Sequence, residues 1–220
     1  KSDILPNKIL LSGEKGIGKS TLAYHLINSV LSENEEHYYD YENKKINIEN
    51  KSYKLIQNKS SPNFYLIDVL EDKKNIDINQ IRQLIINLNK SSFNKKKRFV
   101  LIDNIEFLNI NSVNALLKIL EEPNENIFFI LINNNKRILP TLKSRCLNFR
   151  IILTNSISHS VINKILEKDL SEVINKDLVN FYFSPGNIYH LIKFAHENEI
   201  DLSNLSHKQF LSILIKKNLY

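Results

Sequence analysis

A glycine-rich segment near the start of the chain carries residue types that bind phosphate groups. Gly13-Glu-Lys-Gly-Ile-Gly18-Lys19-Ser20 matches the pattern G-x-x-x-x-G-K-[ST], and it follows an apolar run and opens a helical pattern. In that context the glycines let backbone N–H groups face the phosphates, and the helix adds its positive dipole end. Lys19 would reach the β- and γ-phosphates, and Ser20 would hold Mg²⁺. The segment therefore predicts a site for ATP or ADP with Mg²⁺.

The distribution of glycine supports the same interpretation. The chain has only 4 glycines, and Gly13, Gly16 and Gly18 all lie in this segment. A chain so poor in glycine keeps it where the backbone demands it. The alternative, a relic loop that no longer binds nucleotide, stays open at this point.

A second acidic motif follows further along the chain. Phe99-Val-Leu-Ile-Asp103 reads as a buried strand ending in a carboxylate, and Asp103 would bind the Mg²⁺ hydration shell. In P-loop proteins that hydrolyse ATP, the next residue is usually a glutamate that orients the attacking water. Here it is Asn104, whose neutral amide is a poor base. Glu106 could take its place, although nothing in the sequence requires it. The sequence thus predicts nucleotide binding more firmly than hydrolysis.

The elements that would position these residues alternate between strand and helix. Apolar strand patterns cover 8–12, 64–68, 98–103 and 127–132, and helical patterns cover 21–31, 78–88 and 112–122. Continuous apolar strands separated by helices predict an α/β fold, a parallel sheet with helices on both faces. We expect this nucleotide-binding domain over 1–152, a small all-helical domain over 153–200, and the start of a truncated third helical domain over 201–220. The polar stretch 33–61 reads as a hairpin or loop insertion.

Composition limits the remaining possibilities. No apolar run approaches the roughly 18 residues of a membrane span. The single cysteine excludes an intrachain disulfide, the 6 histidines are scattered, and we expect a cytoplasmic protein. The net charge of +6 could indicate a nucleic-acid partner, but a bias of the whole chain towards Lys, Asn and Ile is the better explanation of it. The chain contains no methionine, so we expect its numbering to begin inside a longer protein or at a processed end.

Three further blocks carry a specific resemblance. Asn114-Ala-Leu-Leu-Lys-Ile-Leu-Glu-Glu-Pro123, Leu139-Pro-Thr-Leu-Lys-Ser-Arg-Cys146 and Ile78-Asn-Gln-Ile-Arg82 are similar to signatures of the clamp-loader AAA+ proteins. With the phosphate loop they span residues 5 to 150 in the order of that family. The resemblance implies an AAA+ nucleotide-binding domain followed by a helical lid domain, and a role in DNA replication.

The resemblance also implies roles for individual residues. Arg145 would be an arginine finger that reaches the γ-phosphate in the site of a neighbouring subunit, and Asn133 or Asn134 would sense the γ-phosphate. Arg82 would contact the DNA backbone in the assembled loader. The implied partners are the other loader subunits, the sliding clamp through the complex, and primer-template DNA. The residues expected at the nucleotide are Gly13, Gly16, Ile17, Gly18, Lys19, Ser20, Thr21, Asp103 and Asn133, with Ser20 and Asp103 at the Mg²⁺ ion.

The pattern is nearer to the delta-prime subunits of DNA polymerase III than to the gamma/tau motor subunits. Asn104 stands where the motor carries glutamate, and the lid turn Ser184-Pro-Gly-Asn-Ile188 lacks the arginine of active relatives. The cysteine cluster that often binds zinc near 33–61 is missing, so no zinc is expected. We therefore expect a subunit that binds nucleotide weakly or structurally and hydrolyses little. A motor ATPase subunit remains the alternative, whereas a small-molecule kinase would need clustered arginines that this chain lacks.

Overall fold

The computed structural model of the chain describes residues 5–90, 96–122, 126–182 and 184–219. They divide into two compact units. The first comprises the residues up to Gly13 together with Lys19–Ile151, and the second comprises Glu14–Gly18 together with the residues from Ile152 onward. The predicted domain limits at residues 152 and 200 stay predictions.

One parallel sheet organises the first unit. Its strands β1 to β5 are Lys8–Ser12, Phe64–Ile67, Arg98–Ile102, Ile127–Asn133 and Leu147–Arg150. They lie in the order β2-β3-β4-β1-β5, and every neighbouring pair is parallel. The central strands β3 and β4 are buried at every position, as expected for a parallel sheet covered on both faces. The predicted α/β fold is confirmed.

Helices cover both faces of this sheet. Those of the first unit are α1 Lys19–Leu31, α2 Lys51–Gln57, α3 Ile78–Asn89, α4 Ile110–Glu121 and α5 Pro140–Lys143. Successive strand side chains point to opposite faces, so alternate residues enter two separate cores. Val100 and Ile102 pack with α3 and α4, whereas Phe99 and Leu101 pack with α1 and α2.

The strand order decides which loops meet. The strands β3, β4 and β1 are consecutive in the sheet, and their carboxyl ends lie at the same edge. The residues that follow them are Asp103, Asn134 and Gly13. Ligands of open α/β sheets bind outside the carboxyl ends of the strands, so a ligand-binding site is expected at this edge.

The second unit is helical. Its helices are α6 Asn155–Leu166, α7 Leu170–Val173, α8 Lys176–Tyr182, α9 Pro185–Glu197 and α10 His207–Lys216. Their apolar faces share one core that includes Ile162, Leu178, Leu191 and Phe210. Within the same unit the N–H of Gly186 donates to the carbonyl of Gly16 at 2.8 Å. The predicted small helical region is confirmed, and no helix among the described residues is long and apolar enough to cross a membrane.

Four elements, α2, α5, β5 and α8, were not predicted individually from the sequence, and α5 has only four residues, too few to show a periodic pattern. The stretch 33–61 contains α2 as well as an antiparallel bridge between Asp40 and Lys45, so the loop or hairpin interpretation was incomplete. The strand β5 has four residues, all exposed, and therefore lacks the apolar run that marks a central strand. The helix α8 is also short, and its few turns give little periodicity.

Candidate nucleotide-binding site

The phosphate loop connects the end of β1 to the start of α1. Gly16 and Gly18 have φ angles of +83° and +90°, in the left-handed region that side chains other than glycine rarely adopt. At its start, the N–H of Gly13 donates to the carbonyl of Asn133 at 3.2 Å, which ties the loop to β4. Ile17 lies within the loop and Thr21 in the first turn of α1. The backbone thus has the curled form that a phosphate cradle requires.

Lys19 is the cation of this loop. Its residue is 4% exposed, and its Nζ donates to the carbonyl of Gly13 at 3.0 Å. A buried ammonium needs partners because its desolvation is costly, and a phosphate group is a stronger partner than a neutral carbonyl. The arrangement holds the charge inside the loop, where an anion would meet it.

Asp103 lies directly after β3 and faces the start of α1. Burial raises the pKa of its carboxyl group above the ordinary value, and the nearby charge of Asp68 raises this pKa further. The N–H of Asn104, the hydroxyl of Ser20 and the charge of Lys19 act in the opposite direction without cancelling the rise. The neighbouring donors and the charge of Lys19 thus only partly offset the cost of burying this carboxylate. A divalent cation would offset it further, and carboxylate and hydroxyl oxygens are suitable ligands for such a cation.

Mg²⁺ commonly binds through one or two protein oxygens, several waters and the phosphates of a nucleotide. Ser20 and Asp103 supply two such oxygens, and no cluster of three or more metal-ligating residues occurs among the described residues. These two oxygens therefore fit an Mg²⁺ ion that binds together with a nucleotide. The bound ion would neutralise part of the negative charge of the phosphates.

Asn104 occupies the place after Asp103 and is fully engaged. Its backbone is left-handed, with φ of 56°, a conformation that asparagine tolerates better than most residues. The Nδ2 of Asn104 donates to Asp68 Oδ1 at 2.7 Å, and its Oδ1 accepts from Nδ2 of Asn134 at 2.8 Å. An amide oxygen is in any case a far weaker base than a carboxylate, so Asn104 is a poor general base.

Glu106 is also committed to a neighbour. Its carboxylate accepts from Nδ2 of Asn134 at 3.0 Å and from the Asn134 N–H at 3.3 Å. Each of the two carboxylate oxygens thus accepts one hydrogen bond from Asn134. Nothing in this arrangement favours Glu106 as a substitute for the missing glutamate.

The two asparagines at the end of β4 differ in their surroundings. Asn133 is 6% exposed, its Nδ2 donates to the carbonyl of Lys136 at 3.0 Å, and its Oδ1 is buried without a described partner. Asn134 instead joins the polar chain with Asn104 and Glu106. Either residue as the phosphate sensor stays a prediction. Asp68 was not identified from the sequence, because its place beside Asn104 depends on the strand order, in which β2 adjoins β3.

Arg145 lies after α5 and interacts within the first unit. Its Nη1 donates to the carbonyl of Thr141 at 2.9 Å, and its Nη2 forms an ion pair with Glu121 at the end of α4. Its side chain is 32% exposed. Among the described contacts none joins Arg145 to Lys19 or Asp103. Its role as a finger stays a prediction.

The arginines at 82 and 98 have different surroundings. Arg98 is buried, and its guanidinium donates to the carbonyls of Leu88 and Lys90 at 2.8 and 3.3 Å, where it secures the end of α3. Arg82 is exposed on α3. An exposed position is compatible with a contact to the phosphates of DNA. The assignment of Arg82 to such a contact stays a prediction.

Comparison with known proteins decides the family. A family model described as "DNA polymerase III, delta subunit" matches residues 1–154, which include the whole loop, Asp103 and Arg145. The chain belongs to this family. It is thus a clamp-loader AAA+ protein, and the resemblance drawn from its sequence blocks is confirmed.

Individual relatives carry both delta-prime and gamma names. A DNA polymerase III subunit delta' of Pseudomonas aeruginosa is 33% identical over 138 residues, covering 62% of this chain and 40% of the relative. A subunit gamma of Buchnera aphidicola subsp. Schizaphis graminum is 32% identical over 167 residues, covering 72% and 42%. A subunit delta' of Bacillus subtilis is 26% identical over 203 residues, covering 90% and 56%. The chain thus spans about half the length of these relatives, or less.

Proposed function

We propose that this chain is part of a delta-prime-like subunit of the bacterial sliding-clamp loader in DNA replication. It binds ATP or ADP with Mg²⁺, hydrolyses little at its own site, and supplies Arg145 to the site of a neighbouring subunit. Its partners are the other loader subunits, with the sliding clamp and primer-template DNA reached through the assembled complex. The family membership and the delta-prime relatives support this proposal.

The proposal that the chain binds nucleotide rests on the contacts that Lys19 and Ser20 make at the phosphate loop. Lys19 is buried within hydrogen-bonding distance of the Gly13 carbonyl, and Ser20 is hydrogen bonded to Asp103. Together they place one cation, one hydroxyl and one carboxylate at the carboxyl edge of the sheet. This set binds the phosphates and the Mg²⁺ ion of a nucleotide in P-loop proteins.

The low hydrolysis follows from what surrounds that set. Asn104 has no basic oxygen to offer, and Glu106 already accepts two hydrogen bonds from Asn134. The turn before α9 contains Ser184, Pro185 and Gly186 and has no arginine. A missing general base removes about 10² to 10⁴ in rate, so a bound nucleotide would persist.

A gamma/tau-like motor subunit is the second candidate. The observation in its favour is the gamma relative of Buchnera aphidicola, which matches 72% of the chain at 32% identity. Turnover by the purified chain separates the two candidates. A motor would hydrolyse ATP at its own site, whereas the proposed subunit should stay near background.

Calorimetric titration with ATP and Mg²⁺ tests the nucleotide site. The wild-type chain should bind, and Lys19→Ala should weaken binding by about 1.5–3 kcal/mol, because it removes the charge-assisted contact to phosphate. Lys15→Ala is the matched control, since Lys15 is exposed in the same loop. Equal affinity of the wild type and Lys19→Ala would mean that the loop is a relic.

A further inference from the structure

Gly186 is the one glycine of the chain that lies outside the phosphate loop. It belongs to the first turn of α9, which begins after the N-cap Ser184, and its φ angle is not positive. Alanine would suit this backbone better, because glycine lowers the stability of a helix. The reason for glycine at this position is therefore a close contact and not the conformation of the backbone.

The close contact of Gly186 is with Gly16, in the middle of the phosphate loop. A Cβ atom at position 186 would lie 2.7 Å from the Cα atom of Gly16 and 2.9 Å from its carbonyl oxygen. Carbon atoms that are not bonded pack best about 3.5–4.0 Å apart, and a backbone cannot swing aside as the end of a side chain can. Both glycines belong to the second compact unit. Position 186 therefore has no room for a side chain while the loop keeps this place.

The N–H of Gly186 donates to the carbonyl of Gly16 at 2.8 Å. The N–H groups in the first turn of a helix have no acceptor within the helix, so this donor is available to the loop. The start of α9 is well fixed, because Ser184 is 2% exposed and its Oγ accepts from the N–H of Asn187 at 3.4 Å. Pro185 follows at the first helical position, where its restricted φ favours the helix. The helix thus presents a fixed donor to the Gly16 carbonyl.

This hydrogen bond also sets the direction of a donor of the loop. The peptide group between Gly16 and Ile17 is planar and trans, so its carbonyl and its N–H point in opposite directions. Because the carbonyl points towards Gly186, the N–H of Ile17 points away from α9. A phosphate cradle is formed by successive N–H groups of a curled loop that turn towards the anion. The direction of the Ile17 N–H is therefore tied to Gly186.

We propose that Gly186 is a positioning residue of the nucleotide site, because it holds the Gly16 carbonyl and thereby directs the Ile17 N–H towards the phosphates. The inference deepens the proposed function and rests on it, since the phosphates are those of the bound nucleotide. Gly186 acts through the backbone of the loop and not by its own contact with the nucleotide. A side chain at position 186 should displace the loop and weaken phosphate binding, although the helix itself would accept it.

Calorimetric titration of the chain with ATP and Mg²⁺, and separately with tripolyphosphate and Mg²⁺, tests this role. Gly186→Ala should weaken the binding of both by about 10-fold or more, because a donor to charged phosphate is misdirected. The control His190→Ala places alanine at an exposed position of the same helix and should stay within about twofold of wild type. Unchanged affinity of Gly186→Ala for ATP overturns the inference. A loss for ATP without a loss for tripolyphosphate also overturns it, because the effect would then concern the nucleoside and not the phosphates.

Hydrogen exchange tests the contact in the wild-type chain without any nucleotide. Labelling the nitrogen of glycine alone gives a nuclear magnetic resonance spectrum of only 4 amides, and the signal of Gly186 is the one that Gly186→Ala lacks. Its N–H should exchange about 10-fold more slowly, or slower still, than in the chain unfolded in urea at the same pH, because Gly16 accepts its hydrogen bond. Exchange as fast as in urea overturns the inference. If the wild-type chain binds neither nucleotide nor tripolyphosphate, the proposed function fails, and the exchange rate alone decides whether Gly186 holds the loop; the same measurement decides if Gly186→Ala does not fold, with the signal then assigned through Gly186→Ser.

Discussion

Cys146, the residue next to Arg145, gives a direct check on local burial. Burial raises the pKa of its thiol to about 11, against an opposing effect of the charge of Lys8. At pH 8 the thiolate fraction is then on the order of 10⁻³, and the thiolate is the reactive form. We expect alkylation by iodoacetamide at pH 8 to be about 100-fold slower in the folded chain than in urea.

The single cysteine makes that measurement unambiguous, because any modified thiol is Cys146. The unfolded chain serves as the control for reagent and pH. Equal rates in the folded and unfolded chains would show that the thiol is open to solvent. Slow labelling would show that burial protects the thiol in the folded chain.

The individual site residues differ in how far sequence alone could identify them. Lys19 and Ser20 follow from the motif, because the chemistry of phosphate binding fixes residue type and spacing. The choice between Asn133 and Asn134 could not be made, since the two side chains of a strand end point in opposite directions and the end was not known to one residue. Asp68 needed the strand order, which decides that β2 adjoins β3.

Helix α4 contains most of the clamp-loader signature that begins at Asn114. Its N-cap is Asn109, whose side chain accepts from the Ser112 N–H at 2.8 Å and from the Ser112 hydroxyl at 3.0 Å. The same hydroxyl lies 3.0 Å from the carbonyl oxygen of Ile76 in a buried position, so its single proton is shared between the two acceptors. The cap thus anchors the helix at one end, and Glu121 at the other end pairs with Arg145.

Removing this cap should destabilise the chain. Asn109→Ala should lower the free energy of unfolding by about 1 kcal/mol, because the N–H of Ser112 loses its acceptor. Asn109→Asp should retain most of the stability, since a carboxylate accepts the same bonds and suits a helix N-terminus. Urea denaturation measures both, with Asn111→Ala as an exposed control in the first turn. Equal losses in Asn109→Ala and Asn111→Ala would contradict the role of the cap.

The elements themselves were predictable where burial dominates the pattern. The strands β3 and β4 are continuous apolar runs, and α3 and α4 show helical spacing, because each buries a face in a large core. The helix α2 escaped prediction because much of what fixes it is polar: Asn50 caps it, and Ser52 hydrogen bonds to Glu35. Neither contact leaves a periodic pattern of apolar residues in the sequence.

At the scale of the whole molecule, Arg145 is the residue through which the proposed subunit would act on the nucleotide of a neighbour. Arg145 is partly exposed, and its ion pair with Glu121, whose side chain is 53% exposed, is a surface pair. Such pairs contribute about 0–1 kcal/mol, so the guanidinium can leave Glu121 at little cost. A γ-phosphate presented by a neighbouring subunit would be a stronger partner, because it carries more charge and accepts bidentate hydrogen bonds.

The last expectation separates a regulatory subunit from a motor. Added to motor subunits, the wild-type chain should raise their ATPase activity, and Arg145→Ala should abolish much of that gain, because fingers of this kind contribute about 10³ to 10⁵ in rate. Lys19→Ala should do far less damage, since its nucleotide is not the one hydrolysed. Arg137→Ala, which removes an exposed arginine of the same unit, is the matched control, and gel filtration would show that each variant still assembles. Loss of activity with Lys19→Ala and its retention with Arg145→Ala would identify the chain as a motor.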